Sequence, residues 1–330
     1  MVSLNGVTIS DESGRMFNRE VQFVKGKQED VFKQIPDFEL RDFQTDADSS
    51  SNPFLQTVCR LPLNSIEREM PVGVVSNRYS LATHRDVFNL CLKGMKASGV
   101  DTDDLQAECG LSELGEWMNL RFYFPEKYNY TPNDKNTLRL RLECYNSVDG
   151  SARLVILLGW YRMICSNGMI IGESKAEFSD MHDQGLDTSI VPAVISKGLE
   201  SVKNDQARMR RWEQRKVDNS VLRAWANGPL ASKWGKKAAS RIYWICSEGR
   251  DSKITDPFAE GSATEKPVAL LENVPGSPTP ASNIYDVSQA MAWVSTNMKN
   301  LKRREEMQFE TPKLLTRIKA VSLSNTTSPN

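Results

Sequence analysis

From Thr137 to Gly172 the chain reads TLRLRLECYNSVDGSARLVILLGWYRMICSNGMIIG, and apolar and polar positions alternate with a period of two. Leu138, Leu140, Leu142 and Cys144 share one face of an extended strand, while Arg139, Arg141, Glu143 and Tyr145 share the other. Asp149-Gly150 separates this run from a second one, and Gly tolerates the positive φ that primed hairpin turns demand. The pattern predicts a long central hairpin with a further turn at Ser166-Asn167-Gly168. Upstream, Val21–Val24, Val72–Ser80 and Glu116–Phe124 read as strands, and Lys127–Asn136 as a polar excursion between strands. Thr83–Lys96 reads as a helix in which Val87, Leu90, Cys91 and Met95 recur at helical spacing behind Thr83, a suitable N-cap.

Past the hairpin the period lengthens to that of a helix. Ile190–Asn204, Asp205–Trp225 and Ala231–Cys246 are predicted helices, followed by a last one over Ser288–Gln308. Five prolines between Ile254 and Asn283 exclude one regular element there. The chain thus divides into an acidic segment with a linker (1–53), a core (54–204), a basic helical region (205–253), a Pro-rich loop (254–283), a C-terminal helix (284–318) and a disordered tail (319–330). The predicted class is α+β, an antiparallel β-sheet with a long central hairpin, helices packed on one face and a helical C-terminal part.

Composition narrows the function classes. With 39% hydrophobic and 25% charged residues among 330, the chain has apolar material for a soluble core. Its formal net charge is zero, which excludes a uniform polycation, but the charge is uneven. Residues 1–50 carry ten Asp/Glu against six Lys/Arg, whereas residues 201–250 carry twelve Lys/Arg against four Asp/Glu. The six cysteines are dispersed without a C-x-x-C pair, which predicts buried thiols in a reducing cytoplasm rather than a metal finger or a disulfide framework. The N-terminus lacks a basic and then apolar leader, and no apolar run approaches the roughly 18 residues of a membrane span.

The candidate chemistry is cationic. On a helix, Arg208, Arg211 and Arg215 fall within about 60° of one another with Trp212 beside them. Lys233, Lys236, Lys237 and Arg241 follow on the next helix, and Arg139 and Arg141 share a strand face with Arg153 and Arg162 on the partner strand. Fork-shaped cations suit phosphates, and Trp212, Trp225, Trp234 and Trp244 could stack on unpaired bases. The competing reading is a solvated helix face, paired to Glu200, Asp205 and Glu213, over tryptophans in the core. Cys165 and His182, with Asp180 or Asp183, have the residue types of a nucleophile and base but no protease context, so a buried strand-end thiol and a turn histidine are the default reading. Glu173, Glu177, Asp180, His182 and Asp183 lack fixed ligand spacing, so no metal is expected. Neither a G-x-x-x-x-G-K-[ST] nor a G-x-G-x-x-G is present, so no nucleotide cofactor and no enzymatic activity are expected.

GVVSNRYSLATHRDVFN (Gly73–Asn89), NSVDGS (Asn146–Ser151) and RMICSNG (Arg162–Gly168) together resemble the phage/plasmid-like domain-of-unknown-function family of mobile genetic elements. The likeness covers roughly residues 70–200 and extends loosely to Asn283–Met291. His182 fills the place of the family's following histidine, and Met181 departs from the Arg that often precedes it. The resemblance carries over Asn146, Asp149, Gly150, Arg162, Cys165, Asn167 and His182, and it implies residence on mobile genetic elements, and so a bacterial host cell, without implying an activity. The order of strand, helix, Asp-Gly hairpin and helix is also similar to the core of single-strand annealing proteins, a likeness of topology that assigns no function.

The expected function is nucleic-acid binding, of single-stranded DNA more than duplex, with self-association along the strand and no membrane partner. The alternative is a protein-interaction module of the element, a host-defence inhibitor or a replication accessory factor. The first reading requires the sheet and helix arginines to converge into one cationic groove.

Overall fold

The structure, a computed structural model, describes residues 3–4, 7–16, 19–44, 50–162, 167–169, 177–180, 187–252, 262–265, 272–277, 279–298 and 301–318. In chain order the elements are β1 (Ser3–Leu4), β2 (Val7–Met16), β3 (Arg19–Lys27), α1 (Gln28–Lys33), β4 (Phe38–Gln44), β5 (Ser51–Arg60), β6 (Met70–Ser76), α2 (His84–Ala97), β7 (Gln106–Leu111), β8 (Trp117–Tyr123), β9 (Leu138–Ser147), β10 (Leu154–Arg162), β11 (Asn167–Met169) and β12 (Glu177–Asp180). They continue with α3 (Val191–Gln214), α4 (Asn219–Trp225), α5 (Ala231–Trp234), α6 (Lys236–Glu248), β13 (Arg250–Asp251), β14 (Glu272–Asn273), α7 (Ile284–Thr296) and α8 (Leu301–Thr316). The class is α+β, with antiparallel sheets, as the hydrophobic periods imply.

The chain forms two compact units and passes between them more than once. The first holds 1–129, 139–159 and 174–202; the second holds 130–138, 160–173 and 203–330. In the first unit the large sheet runs β1-β2-β3-β7-β8-β9-β10, with β12 also on β10. Cross-strand register places Ala107, Phe122 and Leu142 in one row and Cys109, Leu120 and Cys144 in the next. These side chains are almost entirely buried, and α2 meets them through Phe88, whose ring lies 4.9 Å from that of Phe122, and Cys91, which faces Cys144. A second sheet, β4-β5-β6, closes Phe38, Val58 and Val75 over Val148 at the hairpin tip.

The second unit is mainly helical. α7 is its most buried helix, with Ile284, Val287, Met291 and Val294 at 0% exposure. The excursion after β8 is tied down by Glu213, which accepts hydrogen bonds from Tyr130 Oη and the Asn133 amide, both at 2.6 Å. No helix among the described residues is long and apolar enough to cross a membrane.

Several boundaries differ from expectation, each for a local reason. Asn167 and Gly168 are strand, pairing with Arg162 and Tyr161, rather than turn. The helix runs on across Asn204 and Asp205, as the sequence suggests, but stops at Gln214 rather than Trp225. Val191, Ile195, Val202, Met209 and Trp212 form one buried stripe, so a single helix continues to Gln214. The break comes where Asp218 caps α4 by accepting from the Val221 amide at 2.8 Å. The third predicted helix is split into α5 and α6 at Gly235. The predicted last helix is two, since α7 ends on Asn297 and α8 begins at Leu301.

Candidate functional site

The quoted motif positions in β6, α2 and the hairpin meet in the first unit. Thr83 and Asp86 form a reciprocal capping box at the start of α2. The next residue, His84, is fully buried, and its Nε2 lies 2.9 Å from the Gly115 carbonyl. Donation to that carbonyl leaves Nδ1 as the acceptor for Asn146 Nδ2 at 3.0 Å. The same Asn146 amide donates to Ala82 O at 2.9 Å, so β9 is stitched to the entrance of α2. Tyr79 Oη donates to Val148 O at 2.9 Å, and burial, followed by the Asp149 charge, pushes its phenol well above the ordinary range.

The Asp149-Gly150 turn is built as its residues require. Asp149 accepts from the Ser151 amide at 3.1 Å, and Gly150 takes φ +75° against the Tyr79 ring. A Cβ on Gly73 would fall 2.8 Å from Asp149 Cβ, so only glycine lets β6 approach the turn so closely. These positions act as a structural clasp. His84 was not among the sequence candidates, although its spacing of three and seven residues from Val87 and Cys91 places it on the buried stripe of α2. Cys165, Glu173, His182 and Asp183 lie outside the described residues, as do the side chains of Arg162, Asn167, Glu177 and Asp180.

Replacing Asn146 with leucine leaves His84 Nδ1 and the Ala82 carbonyl buried without their donor. At about 1–3 kcal/mol for each of the two orphaned groups, the expected loss is about 2–6 kcal/mol in a denaturant titration. An unchanged midpoint would refute the clasp.

The strand-face arginines are not free for phosphate. Glu108, Arg121 and Glu143 stand directly opposite one another across β7, β8 and β9. Arg121 donates to Glu108 and to Glu143, both at 3.2 Å. Arg141 donates to Glu143 at 2.6 Å, and Tyr123 and Tyr145 donate to Glu108 and Glu143 at 2.6 and 2.7 Å. Burial opposes the charge on Arg121, but Glu143 and then Glu108 more than offset it and hold the guanidinium above its ordinary pKa. Burial likewise raises the Tyr123 phenol. The face expected to present cations is therefore a closed, neutral row in which Arg141 keeps only 8% of its side-chain surface. Arg139, half-buried, and Arg153, exposed, make no ion pair among the described residues.

The helical candidates separate into paired and free groups. Arg208 is tied to Asp205, with its guanidinium 6.0 Å from the centre of the Trp212 ring. Arg215 lies beyond the end of α3 and donates to Ile318 O at 2.9 Å. Lys233 pairs with Glu310 at 2.7 Å, and Arg241 grips Asp251 with bonds of 2.8 and 2.6 Å. Trp212 is 4% exposed, and Trp225, Trp234 and Trp244 are also buried, so none is a stacking platform. The last three donate their Nε1–H groups to Leu314 O, Glu310 and Glu265 O. The expected common face of Arg208, Arg211, Arg215 and Trp212 is thus corrected, because only Arg211 remains open.

Lys203, Arg211, Lys216, Arg223, Lys236 and Lys237 are exposed and make no ion pair among the described residues. All six belong to the second unit. That unit carries 23 Lys/Arg against 15 Asp/Glu, an excess of eight; the other 19 and 27, out of 42 of each, leave the first unit eight negative. The zero net charge of the chain conceals two strongly and oppositely charged parts. Arg139, Arg141 and Arg153 fall in the acidic unit, whereas the helical cations fall in the basic one.

A family model described as Domain of unknown function (DUF932) matches residues 71–271, from β6 through β13. No curated protein and no solved structure matches the chain.

Proposed function

The chain belongs to the DUF932 family of domains of unknown function, and on that premise we propose that it is a phage- or plasmid-encoded nucleic-acid-binding protein that grips phosphates through its second unit. The supporting observation is the concentration of positive charge there, an excess of eight with exposed, unpaired Lys and Arg side chains. Such groups release condensed counterions when they neutralise phosphates, which drives sequence-independent binding. Because the tryptophans are buried, affinity comes from the backbone rather than from stacked bases, and single and double strands both bind. Several copies share one strand, and the reading needs no cofactor or reaction.

The test is charge reversal followed by fluorescence anisotropy on a labelled oligonucleotide. Changing Arg211, Lys236 and Lys237 to Glu should make the salt slope shallower by about three units and weaken binding about a hundredfold near 100 mM salt. Lys93→Glu with Lys96→Glu in the acidic unit should leave affinity within about threefold. Equal effects from both variants, or none from the first, would refute this assignment. The acidic first unit favours a second reading, a docking module for a basic protein, marked by stable co-purification without oligonucleotide binding.

A further inference from the structure

Cys91 of α2 and Cys144 of β9 face each other with their Sγ atoms 3.3 Å apart, and neither side chain has exposed surface. The contact is held from two sides. Phe88, one turn earlier on α2, packs on Phe122 of the sheet. One turn later, a Cβ on Gly94 would lie only 2.9 Å from the Cα of Pro192 in α3, so the helix has no room to back away. Closing 3.3 Å to a disulfide length of roughly 2.05 Å takes an approach of about an ångström, within reach of small χ1 rotations. Cys109 lies in the same cross-strand row as Cys144 but is separated from it by Leu120 of β8. Two strand spacings make roughly 9.6 Å, too far for a bridge.

We propose that Cys91 and Cys144 are an oxidative modification site, at which a two-electron thiol oxidant, a peroxide or an azo compound such as diamide, joins them into a disulfide that clamps α2 to the sheet. Two S–H bonds break and one Sγ–Sγ bond forms. The two electrons and two protons pass to the oxidant, reducing the azo N=N bond to a hydrazine or a peroxide to water. Burial, and then the neighbouring Cys91 thiol, pushes the Cys144 thiol well above its ordinary range, so thiolate is scarce in the closed core. Oxidation therefore waits on transient opening of α2 from the sheet, and its rate reports that opening.

The full chain, purified reduced, is treated with diamide in water and in urea well below the unfolding midpoint, then alkylated and weighed. The expected product is a monomer about 2 Da lighter before alkylation that takes up two fewer alkyl groups, and in it the tryptic peptides Asp86–Lys93 and Leu142–Arg153 are linked. It forms at least about fivefold faster in urea and melts about 5–10 °C higher. Cys91→Ser should abolish the mass loss, while Cys59→Ser should retain it. Should Cys91→Ser fail to fold, the peptide map of the unaltered chain decides. A link through any other cysteine, intermolecular adducts only, or six unreacted thiols after hours in urea would overturn the proposal.

Discussion

Replacing Glu143 with alanine is expected to cost about 3–5 kcal/mol of folding stability and to lower the melting temperature by about 10 °C. Glu143 accepts from Arg121, Arg141 and Tyr145. Its removal leaves two largely buried guanidinium groups with Glu108 as the remaining carboxylate of the row. Taking a charge out of water costs several kcal/mol, and the cost stands once the opposite charge has gone. Removing charge on both sides is a different perturbation. Arg141→Leu combined with Glu143→Leu should be closer to the parent than Glu143→Ala alone, because one charge of each sign disappears. Circular dichroism melts of the three proteins check this. A Glu143→Ala midpoint within about 1 °C of the parent would mean that water, not the row, satisfies these groups.

The same row shows where sequence reading stops. Alternation along β9 correctly separates Leu138, Leu140, Leu142 and Cys144 from Arg139, Arg141, Glu143 and Tyr145. It identifies which residues share a face, not whether that face meets water. In the structure only Arg139 and Glu143 of β9 are even half-exposed. Arginine is therefore legible as a residue type, but its pairing is not, because Arg121 and Glu108 arrive from strands 22 and 35 residues before Glu143. The same blindness affects the tryptophans. Helical spacing admits both a core stripe and a stacking surface, and only tertiary contacts place Trp212 and Trp225 inside.

Local chemistry was more legible. Thr83 caps α2 as its residue type suggests, and Asp149-Gly150 forms the hairpin tip. Helix ends were less so: the periodic stripe of α3 runs across Asn204 and Asp205 without interruption, and nothing local marks a stop. The charge contrast between residues 1–50 and 201–250 was visible in the sequence. Its full extent lies in 203–330, with 21 Lys/Arg against 13 Asp/Glu, because the crossing segments 130–138 and 160–173 each carry one charge of either sign.

The second large effect concerns polynucleotide affinity. If the exposed cations of the second unit neutralise about six phosphates, affinity should fall about a thousandfold between 50 and 200 mM salt, equivalent to about 4 kcal/mol. The dependence should be nearly the same for a single-stranded oligonucleotide and its duplex, because buried tryptophans cannot stack on open bases. A protein-docking module would show no such dependence, since no polyanion would bind.

The decisive measurement is the dissociation constant of the full chain for one labelled 30-nucleotide strand, by anisotropy, at a series of salt concentrations from 50 to 200 mM. Phosphate gripping requires a straight plot of log Kd against log salt that rises with a slope of about +4 to +5. A flat plot, or no binding at 50 mM salt, would contradict it.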